Sequence, residues 1–163
     1  MSNDKPQTLT EQLNDAVVKE VLDNIEKEII ATLHDVLKKR DTKQVIIIRK
    51  DLKMRRGKEI SQAAHGSLAF ISRQLENGNR GVILTPAQAE WLESSYKKIT
   101  VTVNSEEELL AIYDQAKEKG IESHLVTDKG LTEFHNIPTH TCVVLGPDYN
   151  DVLDPLTKHL PLY

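Results

Sequence analysis

Apolar residues recur every four positions at Leu9, Leu13, Val17, Val21, Ile25, Ile29 and Leu33, and Ala16, Leu22, Ile30, Val36 and Leu37 widen the stripe. This spacing predicts one long amphipathic helix over residues 8–40, with Thr8 and Glu11 placed as a capping box at its start. A repeat of four drifts around a straight helix, so the pattern is not a coiled-coil heptad. Such a stripe seeks burial, against the rest of the chain or against a second copy. A helix lying on a membrane surface would carry a basic polar face, whereas this one mixes acids and bases.

The period changes at Gln44. Val45-Ile-Ile-Ile48 is a short β-branched run and predicts a buried strand over 44–49. A basic loop follows to Gly57, and Lys58 is expected to open a helix that runs to about Leu75. Glu76–Gly81 is rich in turn residues. Thr85-Pro86 predicts the start of a short helix, with Trp91 on its inner face. Ile99, Val101 and Val103 alternate with polar residues as a second strand. Ser105 is expected to cap a helix carrying Leu109, Ile112 and Ala116 and ending at Gly120. Strands are predicted over 122–127 and 141–145, joined by a loop without helical pattern, which favours antiparallel pairing. A last short helix is expected after Asp148, interrupted near Pro155. The order predicts an α/β fold: a three-layer α/β/α domain on a four-stranded mixed sheet, with an N-terminal helical extension. The division expected is 1–42 for the extension and 43–163 for the domain.

Composition narrows the class. Of 163 residues, 39% are hydrophobic and 28% charged, which excludes a disordered chain, and no apolar run is long enough to span a bilayer. The N-terminus lacks the pattern of a secretory signal. The single cysteine, Cys142, fits a reducing cytoplasm, and neither cofactor nor metal is expected: His124, His135 and His140 match no ligand spacing. The net charge of -4 disguises a basic stripe. From Lys38 to Lys58 ten basic residues meet only Asp41 and Asp51. A local stripe of that kind can hold phosphates. With 4% aromatic residues, stacking on unpaired bases is not the expected mode of binding.

Two stretches could carry chemistry. Lys53-Met-Arg-Arg-Gly-Lys58 falls at the carboxyl end of a strand and the start of a helix, where ligands bind in open α/β sheets and where free N–H groups attract anions. Gln62 shares the face of Lys58, and His65 follows one turn on. Asp128-Lys-Gly-Leu-Thr132 follows the third strand, with Thr139 and Thr141 across the same loop. An acid, hydroxyls and a lysine gathered at strand ends could orient water and stabilise an oxyanion. Taken alone, the same residues also fit an ordinary turn and a solvated lysine.

Lys43–Tyr163 resembles the type-2 peptidyl-tRNA hydrolases. Their pattern of Arg-x-Asp-Leu-Lys-Met, Gly-Lys and a helix with Gln and Ala-His is matched by Arg49, Asp51, Leu52, Lys53, Met54, Gly57, Lys58, Gln62, Ala64 and His65. Their Asp-Ala-Gly-x-Thr-Gln is similar to Asp128, Gly130 and Thr132, and Thr141, Gly146-Pro147 and the closing His159–Tyr163 also fit. The resemblance implies hydrolysis of the ester between a peptide and tRNA, with peptidyl-tRNA as partner, a homodimer, a cytoplasmic location and no membrane. It implies Lys58, Asp128, Thr132 and Thr141 as the catalytic set, with Lys53, Arg55, Arg56, Gln62 and His65 binding substrate.

The sequence departs from the pattern at Lys129 and at Glu133, where the family has Ala and Gln. A carboxylate at 133 repels phosphate unless a base neutralises it. Arg55-Arg56 replaces a Gly-Lys pair, and the loop to His140 is one residue longer. The alternative reading is therefore a tRNA- or RNA-binding module on the same fold without turnover or with altered specificity.

Overall fold

The computed structural model describes residues 9–37, 40–94 and 96–163. Contacts divide the chain into two units, 1–39 and 40–163. In the first, Leu9–Leu37 form one helix, α1. Val17, Val18, Val21, Leu22, Ile25, Ile29 and Ile30 remain 47–59% exposed, so this stretch of the helix has no cover among the described residues of its own unit. The expected capping box at Thr8, and residues 38–39, lie outside the described residues; Arg40, expected in the helix, is coil.

The second unit is built on the strands β1 (Thr42–Arg49), β2 (Lys98–Val103), β3 (Ser123–Asp128) and β4 (Thr139–Tyr149), in the spatial order β2-β1-β4-β3. β1 pairs parallel with β2 and antiparallel with β4, and β3 pairs antiparallel with β4. The sheet is thus mixed, as the missing helix between β3 and β4 predicts. β4 is longer than expected because it runs past Cys142–Leu145 to pair Asp148 and Tyr149 with the start of β1.

Helices cover both faces. The alternate residues Val45 and Ile47 join Val101, Val103, Val143 and Leu145 in a core with α4 (Glu106–Glu118) and α5 (Asn150–Thr157). Ile46, Ile48, Cys142 and Val144 face α2 (Arg56–Ser72) with Met54 and Ala63, and α3 (Pro86–Glu93) packs on the same side. β1 is buried on both faces, which explains its unbroken apolar run. Thr85 and Gln88 form a capping box at the start of α3. Trp91 is wholly buried, edge-on to Phe70, and donates its indole N–H to the Lys97 carbonyl. Ser105 caps α4, accepting from the Glu108 N–H.

Two details position the site. α2 begins at Arg56 rather than at Lys58, so Lys58 occupies its first turn. Gly66 of α2 lies so close to the sheet that a Cβ there would stand 2.5 Å from Val144 Cγ2. That approach seats α2 across β4 and β3. Beyond α2 a 3-10 turn, Arg73–Gly78, replaces the last predicted helical turn.

Candidate active site

β3 runs parallel to β1, with β4 reversed between them, so the carboxyl ends of β1 and β3 and the amino end of β4 meet on one rim. α2 leaves β1 at that rim through the basic loop. The topology thus brings the Lys58 helix start to the Asp128 turn. Arg49 ties the rim together: its guanidinium, 8% exposed at the residue level, donates to Asp51 at 2.7 Å, Glu106 at 3.1 Å and the His140 carbonyl at 3.1 Å.

Lys58 Nζ donates to Asp128 Oδ2 at 2.5 Å and to Thr132 Oγ1 at 3.2 Å. The two charged side chains are each 13% exposed, a partly sheltered pair at the floor of a cavity rather than a solvated surface bridge. Gln62, one turn further along α2 and buried, donates from Nε2 to the same Asp128 oxygen at 2.9 Å. Its Oε1 accepts from Thr141 Oγ1 at 2.8 Å. Thr141 is fully buried and reaches the carboxylate only through Gln62. The other Asp128 oxygen accepts the Gly130 N–H at 2.8 Å. Gly130 has φ +80°, and a Cβ there would meet the Ile137 main chain at 2.4 Å, so only glycine closes this turn.

Burial works against the Asp128 carboxylate, but the hydrogen bonds from Lys58, Gly130 and Gln62 outweigh it and hold its pKa below the ordinary value. Asp128 is therefore a weakened base with both oxygens engaged. Lys58 uses two of its three donors within the cluster, leaving one for developing negative charge.

Glu133 resolves the charge departure read in the sequence. Its carboxylate accepts from Arg55 Nε at 2.7 Å and from the Arg55 main-chain N–H at 3.4 Å, so it sits at the N-terminus of α2. The Arg55 hydrogen bond, opposed by partial burial, lowers the Glu133 pKa. Lys53, in the loop before α2, and Arg56, at its first residue, are exposed and make no salt bridge among the described residues. Lys53 has φ +48°, in the left-handed region. A cavity of about 550 Å³ extends from Lys58 and Asp128 along the seam between α2 and β3, lined further by Gln62, His65, Arg73, Leu125, Lys129 and Leu131. Arg73, at the C-terminal end of α2, and the Glu133–Arg55 pair carry no sequence signal of their own, because their contacts join residues 52 and 78 positions apart.

A partly sheltered carboxylate, an ammonium and hydroxyls on a mixed α/β rim, with the exposed Arg55 and Arg73 on the helix above it, form a site suited to acyl-ester chemistry on a phosphate-bearing substrate. A profile of the family described as "Peptidyl-tRNA hydrolase PTH2" matches residues 42–163. The chain is 42% identical over 120 residues to a peptidyl-tRNA hydrolase of Methanopyrus kandleri, covering 74% of this chain and 97% of that one. It is 43% identical over 122 residues to that of Methanothermobacter thermautotrophicus, covering 74% and 98%. With the Methanocaldococcus jannaschii peptidyl-tRNA hydrolase it shares 36% over 121 residues, covering 74% and 98%. The chain belongs to the type-2 peptidyl-tRNA hydrolase family.

Proposed function

We propose that this protein hydrolyses the ester joining a peptide to the terminal ribose of tRNA, and that Lys58, Asp128 and Thr132 carry the reaction. The observation that supports it most is the Lys58–Asp128–Gln62 cluster in a cavity that Arg73 and Lys129 also line. Asp128 aligns a water against the ester carbonyl and accepts its hydrogen bond. With its basicity lowered, it positions the water more than it deprotonates it beforehand. The water oxygen adds to the carbonyl carbon, and negative charge grows on the carbonyl oxygen. Lys58 stabilises that oxyanion with its remaining donor, while Thr132 fixes the ammonium. The bond between the acyl carbon and the ribose oxygen then breaks, the ribose oxygen takes up the proton given up by water, and peptide acid and tRNA are released.

Gln62 and Thr141 act as positioning residues, because both are buried and Thr141 touches the carboxylate only through Gln62. Lys53, Arg55 and Arg56 hold phosphates of the acceptor end, and His65 lines the cavity within reach of substrate. The 43–163 segment carries the activity as one domain. The exposed apolar residues of α1 support pairing with a second copy, and a chain lacking residues 1–40 that forms an unchanged oligomer, by its mass in solution, would remove α1 from that account. The site of action proposed is the cytoplasm, on the grounds of the substrate and the single buried cysteine.

The test is release of labelled peptide from a peptidyl-tRNA by the purified chain. Salt-dependent binding of tRNA without cleavage would favour the binding module instead.

A further inference from the structure

The two edges of the sheet differ. The β2 edge is covered: Val101 bridges to Leu162, the Thr102 N–H donates to the Pro161 carbonyl at 2.9 Å, and the Tyr163 N–H donates to the Thr100 carbonyl at 3.0 Å. The β3 edge has no strand or tail against it among the described residues. An open edge presents unpaired N–H and C=O groups, which proteins usually blunt or use.

Three contacts fix which groups face outward. The Glu122 carbonyl accepts from the Gly146 N–H, and the Val126 carbonyl accepts from Thr141 Oγ1, so these residues turn their main chain toward β4. The Leu125 carbonyl is instead reached by Arg73 Nη2 at 3.2 Å, from outside the sheet. Backbone direction alternates along a strand. The register shift between Val126 and Thr127 skips Thr141 on β4 and adds no residue to β3, so Leu125 and Thr127 present both N–H and C=O to the open side, and among the described residues no turn or loop hydrogen bond occupies them. Both residues line the cavity that begins at Lys58 and Asp128.

Resting on the hydrolase reading, we infer that the peptide half of the substrate binds as an added strand along the open edge of β3, parallel to it. The acyl carbon must lie at Asp128, which is the carboxyl end of β3. The peptide then runs back toward Leu125, its own direction matching that of the strand. In parallel pairing one peptide residue donates its N–H to the Leu125 carbonyl and accepts at its own carbonyl from the Thr127 N–H. At about 3.3 Å per residue, the stretch from Leu125 to Asp128 holds roughly three residues. Recognition through the main chain is indifferent to side chains, which suits an enzyme that must release any peptide from tRNA. Arg73 closes the far end and shares the Leu125 carbonyl with the incoming N–H.

The experiment uses the full chain and tRNA acylated with acetylated oligoalanines of one to five residues. The value of kcat/KM rises roughly fivefold to tenfold between one and three residues, as expected for one or two main-chain hydrogen bonds gained, then levels off. Replacing alanines by other residues at fixed length changes it by less than about threefold, far less than the length effect. N-methylation scanned along the acylated tripeptide reverses the gain at one amide and spares its neighbour. A flat length series, or a cleaved series insensitive to methylation, overturns the site. If no member is cleaved, the hydrolase reading falls, and amide hydrogen exchange with free acetyl-trialanine decides the peptide site by itself. Slowed exchange at the Thr127 N–H upholds it, and unchanged exchange there overturns it.

Discussion

The Lys58 ammonium lies 2.5 Å from Asp128 Oδ2, across 70 residues of chain. Sheet order makes this possible: β3 returns to the rim that β1 leaves, and α2 starts between them. The remaining partners of Asp128 set its acidity. Burial alone would raise its pKa, and the hydrogen bonds from Lys58, Gly130 and Gln62 together lower it. A depressed carboxylate contributes stability that is present above its unfolded pKa, about 3.9, and is lost as pH falls through the folded value. NMR titration of the Asp128 carboxyl carbon is expected to give a midpoint below about 3.9, moving upward in Gln62→Leu. A wild-type midpoint above the ordinary value would refute this account of the cluster.

Glu133 occupies the anion position at the start of α2 and neutralises Arg55, whose side chain is otherwise 77% exposed. Glu133→Gln releases Arg55 to substrate phosphate. The expected result is a lower KM with little change in kcat, and a salt dependence of log KM steeper by roughly 0.7, one additional phosphate contact on a single strand. A fall in kcat at constant KM would instead mean that Glu133 serves to hold Thr132 beside Lys58.

Gly66→Ala places a methyl group 2.5 Å from Val144 Cγ2. Relief requires α2 to lift from the sheet, at an expected loss of about 1–3 kcal/mol in urea unfolding. Because α2 carries Lys58 and Gln62, kcat falls as well. Full stability in this variant would show that α2 is not seated as tightly as described.

Cys142 is fully buried beneath α2, and burial pushes its thiol up to about 12. At pH 8 it is expected to resist iodoacetamide in native buffer and to react only after denaturation. Rapid labelling of the native protein would contradict this.

Much of the fold was legible because its signals are local. The apolar run of β1, the capping residues Thr85 and Ser105, and the helix-free link before β4 each specify their element within a few residues. Lys58, Gln62 and Asp128 stood out by residue type and by their places at strand and helix ends. What stayed hidden depends on distance in the chain. Gln62 joins Thr141 to Asp128 through contacts 66 and 79 residues apart, so no spacing reveals that Thr141 acts through an amide. The sequence presents Glu133 as a repulsive charge, and only the closed 128–138 loop brings it to Arg55. The open edge of β3 follows from strand order, which periodicity does not carry.

The most direct test of the central claim is the single-turnover rate of peptide release from peptidyl-tRNA by the wild-type chain, Lys58→Ala and Asp128→Asn, with tRNA binding measured in parallel. Each substitution is expected to reduce the rate by roughly a hundredfold to a thousandfold while tRNA is still bound. A wild-type chain that binds tRNA but releases no peptide, or variants that cleave within a few-fold of it, would contradict the assignment of the reaction to this pair.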